Sequence, residues 1–440
     1  MKKLIIISVS VSTLLVGCLK PSTDGQIVED KFEINSPFQN IDVLFSKYPI
    51  VNEKGGYVKL PNGGFINIPK NAFENSSGEV VKGGVVIEFR DFHNPAEIIA
   101  SGIPMSYDSA GVSGDFQSAG MYEIRAFHNG GEVDVAKGKS IEIGLGSSKP
   151  ENDYKFYNLK EDGGWNYNFN CKTEQNEVYQ DELKKVKKQL GIKEPVAPLK
   201  ADDSKLVFDF SFDETKSPEL SAFKNILWSP FESNKNIDGI MNSDVRNVRV
   251  TKNDEYDGVY NLLFTIRGKE KLLLAQPVFV GSDYDKASAQ FEEKMKSYKN
   301  EIKIKQDQIN RSISEQKFLR TSFIRGMGVY NYDRLIHNSD AIFVDAQFKV
   351  KNLEDFQVDK VYLVSDNQDV IYYYPNRFSK FGYVESKKNV ALVVLPNDKV
   401  ATFEFKNNSY ENGQRAEVEL SISSEKLTSP EDIHDFLQSI

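Results

Sequence analysis

Few residues of this 440-residue chain are of types that carry out chemistry, and their spacing narrows the options quickly. There are two cysteines, Cys18 and Cys171, and four histidines, His93, His128, His337 and His434. No two histidines stand at HExxH spacing, which would set two imidazoles on one helix face for zinc. Cys171 lies between Asn170 and Lys172 at an apparent strand end, with no neighbouring histidine to take its proton, and reads as an inert thiol. Neither a Gly-x-Ser-x-Gly elbow nor a phosphate loop is present, and no Gly-x-Gly-x-x-Gly follows a strand. No catalytic, cofactor-binding or metal-ligating residue is therefore assigned, and the chain is not expected to be an enzyme. Asp254, Glu255 and Asp257 before Gly258, and Asp366 with Asp369, could gather oxygens around calcium. Neither group follows the EF-hand order, and polar turns between strands account for both. Glycoside cleavage would need two carboxylates about 5–10 Å apart, a spacing set in three dimensions. Tyr372-Tyr373-Tyr374 could offer a stacking face to a sugar or a peptide. On a strand successive tyrosines point to opposite faces, so one or two of them belong to a core.

The N-terminus carries the most specific signal. Lys2 and Lys3 precede an apolar stretch from Leu4 to Val16 that ends in Leu15-Val16-Gly17-Cys18. This is the order of a secretion signal, and the stretch falls short of the roughly 20 residues that a membrane-spanning helix needs. The four residues ending at Cys18 resemble the lipobox of bacterial lipoproteins. That resemblance implies a cut before Cys18, diacylation of its thiol and acylation of the new amine. Several acyl chains, at about 0.8 kcal/mol per buried CH₂, anchor a protein stably where one does not. The membrane is then a partner through Cys18, and the location is the cell envelope, lipid-anchored at the outer membrane. Bacteroidota lipoproteins bound for the cell surface often carry acidic residues just after the cysteine. Here Leu19-Lys20-Pro21-Ser22-Thr23-Asp24 follows, so the periplasmic and surface faces both stay open. With Cys18 lipidated, Cys171 has no disulfide partner, and stability must come from packing.

The elements that would position these residues are mostly strands. The chain is long enough for about three domains, and its 40% hydrophobic and 27% charged composition is that of a folded protein. Acidic residues outnumber basic ones 64 to 55 and the pI is near 5.3, which argues against a nucleic-acid partner. Loss of Lys2 and Lys3 with the signal takes the net charge from −9 to about −11. Such a chain would not seek anionic lipid headgroups. The fold class read from the pattern is mainly β: tandem antiparallel β-sandwich (Ig-like) domains with one short linker helix and one long helix. The expected organisation is a signal peptide over 1–17, a flexible tether over 18–46 and a sandwich over 47–171. An amphipathic helix and linker fill 172–204, a second β-rich domain 205–282, a long helix 283–319, and a C-terminal β-rich domain with a short terminal helix 320–440. Asn129-Gly130 marks a hairpin. Tyr179, Leu183, Val186 and Leu190 recur at helical spacing. The long helix carries Phe291, Met295, Tyr298, Ile302, Ile309 and Ile313 on one stripe, for packing along its own sheet or for meeting a partner. Lys305 and Ser312 interrupt the seam that a coiled coil would want.

Gly55-Gly56, Leu60-Pro61-Asn62-Gly63-Gly64 and Ile66-Asn67-Ile68-Pro69-Lys70-Asn71-Ala72-Phe73 resemble the opening of ZU5 domains, β-sandwiches of netrin receptors, ankyrins and tight-junction scaffolds. Phe89-Arg90-Asp91-Phe92-His93, Ser101-Gly102-Ile103-Pro104-Met105, Ser118 to Ile124, Pro218-Glu219-Leu220, Lys224-Asn225 and Gly328 to Arg334 are similar to a group of uncharacterised Bacteroidota lipoproteins and secreted proteins with a ZU5-like module. The likeness to that group touches most of the mature chain, and the ZU5 likeness about a hundred residues. ZU5 modules act elsewhere in docking and assembly. The resemblance thus implies a non-enzymatic docking or scaffolding module with other envelope proteins as partners. The alternative is a glycan-binding or glycan-processing lipoprotein in nutrient capture. The His-Phe-Ser triplet at which some ZU5-containing proteins cleave themselves is absent. Asp108-Ser109-Ala110 resembles the Bacteroidota O-glycosylation acceptor, which would place a sugar on Ser109.

Overall fold

The structure is a computed structural model that describes residues 33–109, 112–201, 206–209, 226–231, 245–312, 316–336, 340–365, 369–405 and 410–440. The chain is mainly β, and four helices are used below: α1 (Pro95–Ser101), α2 (Glu177–Gln189), α3 (Ser282–Ser312) and α4 (Pro430–Ser439). Local sequence accounts for their ends. Asn94 caps α1 by accepting from the Glu97 amide, Pro95 takes the first turn, and Gly102 leaves it at φ 70°. Ser429 caps α4 in the same way, with Pro430, Glu431 and Asp432 in its first turn.

The first sandwich has two sheets. The larger, of eight strands, runs in the order Ser46–Val51, Gly84–Phe92, Val112–His128, Gly328–Leu335, Lys155–Leu159 and Trp165–Asn170, with two short strands added on Val112–His128. The facing sheet runs Thr173–Gln175, Phe318–Ile324, Ile141–Ser147, Phe65–Ile68 and Gly56–Lys59. Between them lie Ile66, Ile87, Phe89, Tyr122, Ile143 and Tyr332, all buried. Strand Gly84–Phe92 shows why the pattern works: Val85, Ile87 and Phe89 are buried on alternate positions of one face. The Asn129-Gly130 turn has positive φ at both residues, 50° and 82°, but the hairpin it makes returns only as far as Gly131–Glu132.

The domain boundaries need correction. Residues 318–335, read as the end of the long helix and the start of the C-terminal domain, supply one strand to each sheet of the first sandwich. The run Ser322–Tyr330 is broken around Gly326 and Gly328, and the chain crosses from one sheet to the other there. Ser322 accepts from the Tyr332 hydroxyl at 2.8 Å and meets the Tyr122 hydroxyl at 3.1 Å, which ties the crossing together inside the core. Helix α3 accordingly ends at Ser312 rather than near 319, and Ile313 lies outside the described residues.

What lies between Gln175 and Phe318 is thus an insertion. Its two ends sit on adjacent strands, because Thr173–Gln175 pairs with Phe318–Arg320. Asn176 clasps the neck: its amide donates to Lys317 O at 3.0 Å, its side chain donates to Gln316 O at 2.8 Å, and the same side chain caps α2. In the inserted lobe α2 and α3 meet through Tyr179, Val186 and Ile309. The stripe on α3 faces α2 and the lobe's own strands, with Lys187 Nζ donating to the Tyr298 hydroxyl at 2.8 Å. The lobe's sheet runs Leu199–Lys200, Lys269–Phe279, Tyr260–Ile266 and Val245–Lys252, with Leu227–Pro230 also on Lys269–Phe279. Near the start of the expected second β-rich domain Phe208 is bridged to Trp228, and residues 210–225 lie outside the described residues.

The C-terminal sheet has seven strands in the order Val370–Tyr373, Val361–Ser365, Asn389–Leu395, Lys399–Glu404, Arg415–Ile422, Ile342–Val350 and Phe381–Tyr383. It is mixed, since Ile342–Val350 and Arg415–Ile422 run parallel. The sheet curls until its two ends meet, where the Tyr373 hydroxyl exchanges hydrogen bonds with the Gly382 backbone at 3.1 Å. Its inner face has its own core. Its outer face packs with α1 and α4 on the outside of the larger sandwich sheet, through Phe92, Ile99, Trp165, Tyr372, Leu392 and Phe436. Sandwich and C-terminal sheet therefore share one core. Polar contacts follow the same seam: Arg377 holds Asp115 with two bonds at 2.8 and 2.7 Å, Gln117 donates to Asp369 at 2.6 Å, and the Tyr372 hydroxyl donates to Ile98 O at 3.0 Å.

The expected tether is also shorter than 18–46. Phe38 and Ile41 are buried, the Gln39 and Asn40 amides donate to the Asp398 carboxylate at 2.6 and 3.1 Å, and Arg90 binds Asp42 at 2.9 Å. Asn397 and Asp398 take φ of 62° and 58°, a conformation that asparagine and aspartate tolerate best among side-chain-bearing residues.

Candidate functional site

The residues singled out by type scatter over the fold. Cys18 lies outside the described residues, as do His337 and Asp366. Ser109 closes strand Ser106–Ser109 at the tip of its hairpin, opposite Val112. Cys171 is buried in the sandwich core, where burial pushes its thiol up, away from thiolate. His93 pairs with Asp91 at 2.8 Å. Burial pushes that imidazole down, but Asp91 and Glu97 outweigh it and hold the ring above its ordinary value. Asp369 belongs to the seam, where burial raises its carboxyl and the bond from Gln117 offsets part of the rise. The three tyrosines alternate as a strand requires: Tyr372 enters the shared core, Tyr373 the core of the C-terminal sheet, and Tyr374 remains 38% exposed. Trp165 and Trp228 are buried and offer no face to a ligand.

The acidic turn before Gly258 is different, because it borders a cleft. Asn253 builds the turn: its side-chain oxygen accepts from the Glu255 and Tyr256 amides at 2.8 and 3.0 Å, and its side-chain nitrogen donates to Asn261 at 2.8 Å. Gly258 then takes φ of 97°. Strand Tyr256–Asp257 pairs in parallel with Glu194–Pro195. The carboxylates at this turn meet lysines rather than one another. Lys294 of α3 binds Asp257 at 2.7 Å, Lys188 of α2 stands 3.7 Å from Asp254, and Lys193 donates to Asn253 O at 2.9 Å. Among the described residues no group of three or more His, Cys, Asp or Glu side chains is placed to hold a metal ion.

The cleft, of about 260 Å³, opens between this turn, strand Lys269–Phe279 and α3. Helix α3 contributes Ala287, Gln290, Phe291 and Lys294, which at spacings of three and four residues share one face. The sheet side contributes Tyr256, Tyr260, Gln276 and Phe279, and Lys193 and Lys252 also line the cleft. The arrangement can take a small ligand or a side chain that offers an apolar face and hydrogen-bond acceptors. Sequence reasoning marked the acidic turn and Phe291 separately. Lys294, three residues beyond Phe291, was the legible link, but only the fold brings helix and turn together.

Comparison with known proteins returns no match: no family model, no curated protein and no solved structure matches this chain. No helix among the described residues is long and apolar enough to cross a membrane.

Proposed function

We propose that the chain is a lipid-anchored protein of the cell envelope, attached at the outer membrane through acylated Cys18, whose inserted lobe docks another envelope component without catalysing a reaction. The observation that carries this reading is the mounting of the lobe. It enters and leaves through adjacent strands clasped by Asn176, and it bears the cleft. The segment that leads from Cys18 joins the other part of the molecule, pinned at Asp398 and Arg90. On this reading anchor and binding surface belong to different regions, which suits a docking module. The likeness to ZU5 domains and to Bacteroidota lipoproteins points the same way.

Two measurements test it. Cys18→Ala should move the protein from the membrane fraction to the soluble fraction, and continued sedimentation with membranes would overturn lipid anchoring. Cross-linking in the native cells, with recovery through a C-terminal tag, should yield a stoichiometric envelope protein. That protein should be lost when Phe291→Ala and Lys294→Glu are introduced together. A partner retained by this double variant would move docking away from the cleft.

A second reading, glycan binding in nutrient capture, is favoured by the Tyr256 and Tyr260 rings beside the Gln276 amide. The carboxylate of that cleft, Asp257, is held by Lys294 at 2.7 Å, which suits binding rather than cleavage.

A further inference from the structure

Lys360 stands at the rim of the seam between the C-terminal sheet and the sandwich. Lys360 just precedes strand Val361–Ser365 and Tyr374 just follows strand Val370–Tyr373, and within the pair Tyr362 is directly opposite Tyr372. The Lys360 amine sits 5.7 Å from the ring centres of Tyr362 and Tyr372 and 5.2 Å from that of Tyr374. Among the described residues it has no carboxylate within ion-pair distance and makes no hydrogen bond. Burial lowers its pKa and nothing nearby restores it. Ring faces attract a cation but carry no net charge, so the positive charge is uncompensated. Tyr362 beneath is 1% exposed and its hydroxyl has no hydrogen-bond partner, while Tyr374 is 38% exposed beside the amine. A half-buried cation and a partly exposed tyrosine are thus gathered at one place, beside the buried rings of Tyr362 and Tyr372.

We propose that Lys360 and Tyr374 form a binding site for a carboxylate carried on a sugar ring, the uronate of an acidic glycan. The carboxylate pairs with the Lys360 amine in a partly desolvated setting, where a charge-assisted bond is stronger than at an open surface. The apolar face of the sugar ring lies against Tyr374. A lone amine suits a monoanion, whereas a phosphate dianion calls for several donors. An acidic peptide would meet the charge and leave the ring face of Tyr374 unused. The site goes beyond the docking reading and is separate from the cleft, so it stands or falls without them.

The test is calorimetric titration of the full chain with oligogalacturonate, with a neutral galactose oligomer of the same length and with polyglutamate, at low and at physiological salt. The acidic sugar should bind at least 10-fold more tightly than either comparator. Lys360→Gln should weaken it 10-fold or more, Lys360→Arg should retain most of the affinity, and Tyr374→Ala should cost several-fold, with unchanged melting temperatures reporting an intact fold. Equal binding of acidic and neutral sugars, binding indifferent to Lys360→Gln, tighter binding of polyglutamate, or no binding of oligogalacturonate would each overturn the proposal.

Discussion

The body made of sandwich and C-terminal sheet and the inserted lobe are held together by different physics. The larger sandwich sheet has an apolar core on each face, and the C-terminal sheet has one inside and shares one outside. The body holds an ion pair out of water: Arg90 and Glu123 have side chains only 6% and 4% exposed. The lobe's sheet core comprises Trp228, Leu262, Phe264, Ile266, Leu273 and Ala275, and its helices meet through three buried side chains. Its ion pairs, Lys294 with Asp257 and Lys188 with Asp254, face solvent. Exposed pairs contribute about 0–1 kcal/mol and are screened by salt. Cooperative stability therefore concentrates in the body, and local opening belongs to the lobe.

The comparison can be broken most directly in the shared core. Trp165 is 1% exposed and donates to Pro104 O at 2.9 Å. Trp165→Ala should cost about 3–5 kcal/mol in chemical denaturation and loosen the sandwich and the C-terminal sheet together. Separate transitions for the two would show that they do not share one cooperative core.

A smaller effect, with a sign of its own, comes from Asp333. It is buried, neither carboxylate oxygen has a hydrogen-bond partner, and the neighbouring Ser118 hydroxyl donates to Asn331 at 2.7 Å instead. Burial raises its pKa well above the usual carboxylate range. In the unfolded chain the group returns to about 3.9. The stability that goes with a protonated Asp333 is thus complete below that value and is lost as pH rises toward the folded pKa, by about 1.4 kcal/mol per pH unit. Asp333→Asn should therefore unfold at higher denaturant than the parent at pH 8, with the gap shrinking toward pH 4. A gap that does not change with pH would mean that the carboxyl finds a partner.

The smallest effect is expected at the lobe's surface. Lys294→Gln removes an exposed pair and should change global stability by about 0.5 kcal/mol or less. A loss of 2 kcal/mol would place the lobe inside the cooperative unit of the body and remove the contrast between them.

Local chemistry made much of this legible. The Asn129-Gly130 turn, α2 and the capped terminal helix follow from residues within a few positions of each other. Helix α1 was legible in principle, from Asn94-Pro95 at one end and Gly102 at the other, but seven residues give little periodicity to notice. Strand Ser46–Val51 was missed because its pairing with Gly84–Phe92, rather than its own alternation, makes it a strand. Of the cleft, the sequence gives the turn and the helix face but not their meeting. Of the Lys360 site it gives the tyrosines but not the lysine, which lies twelve residues before Tyr372 and stands beside it only because the two strands pair.

The amino-acid sequence by itself determined the β character, the helix ends, the alternation of Tyr372 and Tyr373 between two cores, and the acidic balance of the chain, because each depends on side-chain period, capping or composition. Tertiary structure alone decided that residues 318–335 complete the first sandwich, that the region between is an insertion, and that two sheets share one core. Those outcomes turn on pairing between strands about two hundred residues apart, as between Tyr330 and Tyr122. Hydrogen-bonded ladders accept almost any residue, so the partner is chosen by the summed burial of whole faces, a quantity that no local stretch of sequence contains.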